Sequence, residues 1–134
     1  MIEEWFVGFH KPSLRNIEGK IDPTLWFGHC EIWGYTLDET WLFLDPQARG
    51  TRITVVHRHD DVLDQLAARH EICATILKFS NPAYFKMPIH GMMTCASICG
   101  ASLGVRALLP STLERKLRQR GAEVIHEAEG RPNR

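Results

Sequence analysis

The chain has few cysteines, no net charge and no long apolar run. Its four cysteines stand among 134 residues without paired C-x-x-C spacing, which argues against a disulfide-stapled scaffold and favours reduced thiols. Sixteen basic residues balance sixteen acidic ones, so no overall field favours nucleic acid. No apolar stretch approaches the roughly 18 residues of a membrane-spanning helix. We therefore expect cytoplasmic synthesis without an export signal, no nucleic-acid partner and no membrane insertion.

What the chain does contain is enough apolar material for one core. Hydrophobic residues make up 44% of the sequence and charged residues 24%, a composition typical of a globular domain and not of a disordered one. A length of 134 residues fits one compact domain. We predict a single domain over residues 1–128 and a flexible polar tail over residues 129–134.

Hydrophobic periodicity predicts several strands, a helix, another strand, two helices and a last strand. The predicted strands cover residues 4–10, 26–35, 40–44, 51–57, 72–79 and 122–126. The predicted helices follow a cap at Asp60 or Asp61 and run to His70, then cover residues 92–103 and 111–120. Loops are expected from residue 11 to residue 23 and over residues 80–88. This order indicates an α+β domain with a mainly antiparallel sheet packed against helices.

Two distant residues carry the main chemical signal. His29 stands in the strand-like run Gly28-His29-Cys30-Glu31-Ile32-Trp33, and Cys95 opens a predicted helix of small residues. A thiol at a helix N-terminus is more easily ionised, because it faces free amide donors and the positive end of the helix dipole. An imidazole beside it can act as a general base and acid for acyl transfer. We predict that Cys95 is the nucleophile and that His29 is its proton carrier.

The same segments resemble the circularly permuted branch of the NlpC/P60 superfamily, which has a papain-like fold. The resemblance covers residues 26–120 and rests on Gly28-His29-Cys30-Glu31-Ile32-Trp33, on Thr94-Cys95 and on Leu103-Gly104-Val105-Arg106. Related domains place the histidine on a strand that precedes the cysteine helix. The resemblance implies a cleft between the sheet and that helix, and an amide-type substrate such as a peptide or peptidoglycan.

A third side chain normally orients the imidazole, and relatives often supply it from the strand after the histidine. Asp45, at the end of a predicted strand, is the first choice, although Asp-Pro also commonly begins a turn. Glu31 is the second choice, because it lies two positions from His29 on a regular strand. Cys30 is then expected to point away from His29.

The remaining cysteines and histidines receive structural assignments. Cys73 alternates with apolar neighbours and is expected to be buried. Cys99 lies one turn beyond Cys95, where the helix dipole is weaker, and is expected to pack in the core. His57 and His59 could face the same side of a strand and bind zinc together with His29 or a cysteine, but no short paired ligand motif is present. We expect neither a metal nor another cofactor.

The predicted function is therefore a thiol hydrolase that cleaves an amide bond through an acyl-enzyme. An acyltransferase would use the same pair with an amine or alcohol as acceptor. A noncatalytic structural or binding module with an inherited papain-like fold, such as a phage virion component, is the alternative from another class. In that case the partners are other phage particle components and the protein is virion-associated.

Overall fold

The computed structural model describes residues 2–11, 28–47, 50–80 and 94–129. These residues form six strands, a short 3₁₀ turn and three α-helices. In chain order the elements are β1 (Ile2–His10), β2 (Cys30–Thr36), β3 (Trp41–Gln47), β4 (Gly50–Val56), the 3₁₀ turn (His59–Asp61), α1 (Leu63–Ile72), β5 (Cys73–Phe79), α2 (Cys95–Leu103), α3 (Pro110–Gln119) and β6 (Glu123–Glu127).

The described strands form one sheet in the order β4-β3-β2-β1-β5-β6, and every neighbouring pair is antiparallel. The predicted α+β class with an antiparallel sheet is therefore confirmed. None of the helices in the described part of the chain is long and apolar enough to cross a bilayer.

The sheet separates two apolar cores, because successive strand residues point to opposite faces. On β2, Cys30 and Ile32 belong to the core that contains α2 and α3, whereas Trp33 belongs to the core that contains Leu66 of α1. The first core is mainly aliphatic and rich in small residues, with Phe9 and Phe79 among its members. The second is built from the aromatic rings of Trp33, Trp41 and Phe43. Helices thus cover both faces of the sheet.

Helix α2 has strong signals at both ends. At its start, Thr94 and Ser97 form a capping box, in which the Ser97 N–H donates to the Thr94 hydroxyl at 3.0 Å and the Thr94 N–H donates to the Ser97 hydroxyl at 2.7 Å. At its end, Gly104 adopts φ 73°, a left-handed conformation that glycine takes easily. Within the helix, a Cβ at Gly100 would lie 2.2 Å from the Val105 carbonyl oxygen. The close return of the chain over Gly100 therefore depends on glycine.

Two predicted strand boundaries in the N-terminal half of the chain are wrong. The strand predicted over residues 26–35 begins at Cys30, so His29 precedes it; residues 26 and 27 lie outside the described part. The strand predicted to end at Leu44 continues through Gln47. It continues because β3 keeps pairing with β4 through Pro46 and Thr51, whereas its register with β2 ends at the Ile32–Leu44 pair. A proline is tolerated where a strand pairs on one side only.

The predicted cap of the first helix is also wrong. Asp60 and Asp61 lie in the 3₁₀ turn, and α1 begins after Val62 without a side-chain cap. A tight turn with its own hydrogen bonds, including Val62 N–H to the His59 carbonyl at 3.3 Å, enters the helix instead. The loops predicted from residue 11 to residue 23 and over 80–88 lie mainly outside the described residues, as does most of the predicted tail over 129–134.

Candidate active site

Cys95 is the first residue of α2 and lies half-buried at the edge of an open cleft. The capping box of Thr94 and Ser97 fixes the first turn of the helix, and with it the position of the thiol. The first N–H groups of a helix have no acceptor inside the helix, and they give its N-terminus a partial positive charge. This position favours a thiolate and offers backbone donors beside it.

Cys95 and His29 line the same cleft, and each shifts the pKa of the other. Hydrogen bonds from the Cys30 thiol, then from the His29 ring and the Cys30 backbone N–H, lower the pKa of Cys95 to about 4 against the opposing effect of burial. The hydrogen bond to Cys95 raises the pKa of His29 to about 9, with a further contribution from Asp45. Between these two values the pair is a thiolate and an imidazolium.

Asp45 completes the arrangement on the other side of the imidazole. His29 Nε2 donates to Asp45 Oδ1 at 2.6 Å, and Gln47 Nε2 donates to Asp45 Oδ2 at 3.0 Å. Burial raises the pKa of Asp45, but the hydrogen bonds from His29 and Gln47 outweigh it and the pKa is lowered. Because Nε2 is committed to Asp45, Nδ1 is the ring nitrogen that serves Cys95. The structure thus brings together Cys95, His29 and the first-choice orienting residue.

Glu31, the second-choice orienting residue, is engaged elsewhere. It is buried, with its Oε1 bound by Arg69 Nε at 2.5 Å and its Oε2 bound by His10 Nε2 at 2.8 Å. Glu31 is therefore bound by Arg69 and His10, whereas the His29 ring is bound by Asp45.

Cys30 lies in the core beneath α2, on the face of β2 opposite to Glu31, which meets Arg69 beside the aromatic core. Cys95 packs against the same core, and Cys30 is the largest cause of its lowered pKa. Burial and the neighbouring Cys95 and Cys99 thiols raise the pKa of Cys30, with the Cys95 contact as the largest cause. Cys30 is therefore the neighbour that most strongly lowers the pKa of Cys95.

The cleft has a volume of about 570 Å³ and opens between the end of the sheet and α2. It forms where β2 and β3 stop pairing, beyond the Ile32–Leu44 pair. Its lining combines the three residues of the hydrogen-bonded series with polar and apolar side chains: His10, His29, Asp45, Pro46, Gln47, Thr94, Cys95 and Ile98. A small acyl group with polar substituents fits such a lining.

His10 is the cleft residue that the sequence analysis missed. It ends β1, and its ring contacts the His29 ring edge-on with centroids 5.0 Å apart. The backbones are also joined, since the His10 N–H donates to the His29 carbonyl at 2.8 Å. A histidine that ends an apolar strand is a weak signal, and only the pairing of β1 with β2 places it beside His29.

The other cysteines and histidines lie apart from this series. Cys73 is buried in the aromatic core, and burial raises its pKa to about 12. Cys99 is buried, with its thiol directed at the Cys30 carbonyl at 3.9 Å. His57 and His59 do not share a strand, because β4 ends at Val56, and His59 Nδ1 accepts the Trp41 indole N–H at 2.7 Å. No cluster of three metal-ligating side chains occurs among residues 2–11, 28–47, 50–80 and 94–129.

Comparison with protein-family models, with curated proteins and with solved structures gave no match for this chain.

Proposed function

We propose that the protein is a thiol hydrolase that cleaves an amide bond, of the kind found in peptides or peptidoglycan, through an acyl-enzyme on Cys95. One observation carries the proposal. A half-buried cysteine at a helix N-terminus lines one open cleft together with a histidine and the carboxylate that binds the histidine ring at 2.6 Å, and the cysteine raises the pKa of that histidine. A nucleophile, a base beside it and a group that orients the base are the residues that acyl transfer requires.

The chemistry proceeds in two halves. In the first, the Cys95 thiolate adds to the scissile carbonyl carbon, and the oxyanion is stabilised by the Cys95 backbone N–H at the start of α2. The tetrahedral intermediate collapses as His29 gives its proton to the leaving amine, which leaves a thioester. In the second, His29 takes a proton from water, the resulting hydroxide adds to the thioester, and the acid and the Cys95 thiolate are released.

The chain order supports a permuted NlpC/P60-like, papain-type fold. His29 precedes an antiparallel strand, Asp45 lies on the next strand, and Cys95 begins a later helix that packs on the sheet. The cleft lies between the sheet end and that helix, where the resemblance leads us to expect it. Peptide or peptidoglycan-type amides are the substrate class that this assignment brings with it.

The test is covalent labelling of Cys95 by activated acyl donors, followed by intact-protein and peptide mass spectrometry. We expect an acyl adduct on Cys95 that water resolves, and we expect Cys95→Ala and His29→Ala to abolish turnover while the protein stays folded. Cys73→Ala is the matched control, because it removes a buried thiol from the opposite core. Absence of any adduct on Cys95 with donors and thiol-directed probes would overturn the proposal.

The same experiment separates hydrolysis from acyl transfer. Amines and alcohols are added at increasing concentration, and the products released from the acylated protein are measured. A hydrolase gives the free acid as the main product at every acceptor concentration. Products that follow the added acceptor instead would assign a transferase.

A further inference from the structure

A second hydrogen-bonded series, separate from Cys95, His29 and Asp45, ends in the same cleft. It runs from Arg69 on α1 through Glu31 on β2 to His10 on β1, with Arg69 Nε to Glu31 Oε1 at 2.5 Å and His10 Nε2 to Glu31 Oε2 at 2.8 Å. Glu31 exposes 4% of its side chain and Arg69 exposes 13%. Burying a carboxylate is costly unless its charge is paired. The chemistry proposed for Cys95, His29 and Asp45 gives this second series no role.

The series fixes the orientation of the His10 ring. Arg69 is itself held over the Phe43 ring, 4.1 Å from its centroid, so the carboxylate that holds His10 has a rigid anchor. The edge-on contact with His29 constrains the other side of the ring. A polar ring atom at the cleft wall is therefore held in place before any substrate binds.

The donor and acceptor roles of the two His10 ring nitrogens determine which substrate groups His10 can bind. A carboxylate only accepts, so Nε2 carries the proton in the bond to Glu31. In the neutral ring, Nδ1 is then an acceptor. A peptide-like acyl group has an amide N–H one carbon away from the scissile carbonyl, whereas a simple fatty or acetyl group has no donor there. His10 can therefore distinguish the two classes.

We propose that His10 is a substrate-binding residue of this cleft, whose Nδ1 accepts a hydrogen bond from an amide N–H on the acyl side of the scissile bond. The site then selects acylamino-acyl, peptide-like groups over simple acyl groups. This inference rests on the proposed function, since it names the substrate class of the same thiol chemistry. It assigns His10 to selectivity and leaves nucleophile activation to His29 and Asp45.

The test uses two activated esters that differ in one atom. These are the p-nitrophenyl esters of N-acetyl-L-alanine and of O-acetyl-L-lactate, in which oxygen replaces the N–H. We expect the native protein to cleave the alanine ester with a kcat/KM roughly tenfold above that of the lactate ester, the effect of one hydrogen bond. A native ratio near one would overturn the assignment.

Two variants of His10 separate its two ring nitrogens. His10→Gln places an amide near Nε2 and keeps a donor for Glu31, so we expect it to fold and to lose the preference for the alanine ester. His10→Asn places an amide near Nδ1, and we expect it to keep part of the preference. His57→Gln, at an exposed histidine beyond the far end of β4, is the matched control and should keep all of it.

The pH profile of Cys95 alkylation by iodoacetamide provides the second readout. We expect it to be unchanged in His10→Gln, because the thiolate and His29 remain paired. If His10→Gln loses activity equally on both esters and shifts the alkylation profile, His10 acts through His29. If the alanine-to-lactate ratio of kcat/KM persists in His10→Gln, His10 binds no substrate N–H. Either result overturns the inference. If the native protein cleaves neither ester, or Cys95→Ala cleaves them equally well, the proposed function itself fails.

Discussion

At the scale of single residues, Cys95 differs from the other cysteines in the hydrogen bonds that its sulfur accepts. Cys73 is buried without such donors, and its pKa is raised to about 12. Cys95 is also largely removed from water, yet donors from Cys30 and His29 lower its pKa to about 4. Cys73 and Cys95 thus ionise very differently, because hydrogen bonds to the charged form outweigh burial only at Cys95.

The pH dependence of the site follows from the two shifted groups. As pH falls through about 4, the Cys95 thiolate is protonated, and the rate of alkylation by iodoacetamide falls with it. As pH rises through about 9, His29 loses the proton that the leaving amine needs, so turnover falls while alkylation persists. We expect a bell-shaped turnover profile and a one-limbed alkylation profile. Alkylation that begins to rise only near pH 8 would contradict the ion pair.

Cys30 provides a residue-scale prediction that differs from the one its strand position suggests. Alternation predicts a silent position, whereas the structure makes its thiol the largest single cause of the lowered pKa of Cys95. Cys30→Ala is expected to raise that pKa and to slow alkylation at pH 5 roughly tenfold, the effect of one charge-assisted hydrogen bond. Cys30→Ser keeps a donor and should restore most of the rate. An alkylation profile of Cys30→Ala that overlays the native one would show that the thiol contributes no donor.

At the scale of elements, the start of α2 couples stability to chemistry. The Thr94 hydroxyl accepts the Ser97 N–H at 3.0 Å and donates to the Leu108 carbonyl at 2.8 Å, which ties the helix start to the chain before α3. Thr94→Ala removes both contacts and lets the turn that carries Cys95 fray. We expect a loss of ~1 kcal/mol in the free energy of unfolding and a larger proportional loss of turnover.

The matched variant for Thr94→Ala is Ser102→Ala, on the same helix. The Ser102 hydroxyl is exposed and bonds only within α2, to the Ile98 carbonyl at 3.2 Å, so its removal should leave unfolding and turnover nearly unchanged. Urea unfolding and steady-state kinetics measure both effects. Thr94→Ser, which restores the hydroxyl, should recover both; stability recovered without turnover would show that the cap does not position Cys95.

At the scale of the whole molecule, local sequence patterns predict the helices and strands, whereas the pairing of the strands decides which residues form the site. Periodicity predicts the antiparallel sheet and a helix over residues 92–103, whose observed start is Cys95 because Thr94 caps it. These local patterns do not reveal where the β2–β3 register stops, and that stop opens the cleft and frees Asp45 for His29. They also do not reveal that β1 lies beside β2, which brings His10 to the site. Contacts between distant strands are set by the sheet as a whole, so single-strand patterns cannot supply them.

The buried pair of Glu31 and Arg69 joins α1 to β2, and its removal tests how strongly the helix and the sheet are coupled. Arg69→Met leaves the Glu31 carboxylate buried beside aromatic rings without its cation, and we expect a loss of ~3–5 kcal/mol in the free energy of unfolding. Glu31→Gln in the same chain removes the uncompensated charge, so the double variant should be more stable than Arg69→Met alone. Denaturant unfolding of the two single variants and the double variant measures this coupling. Purely additive losses would mean that the pair does not join α1 to the sheet energetically.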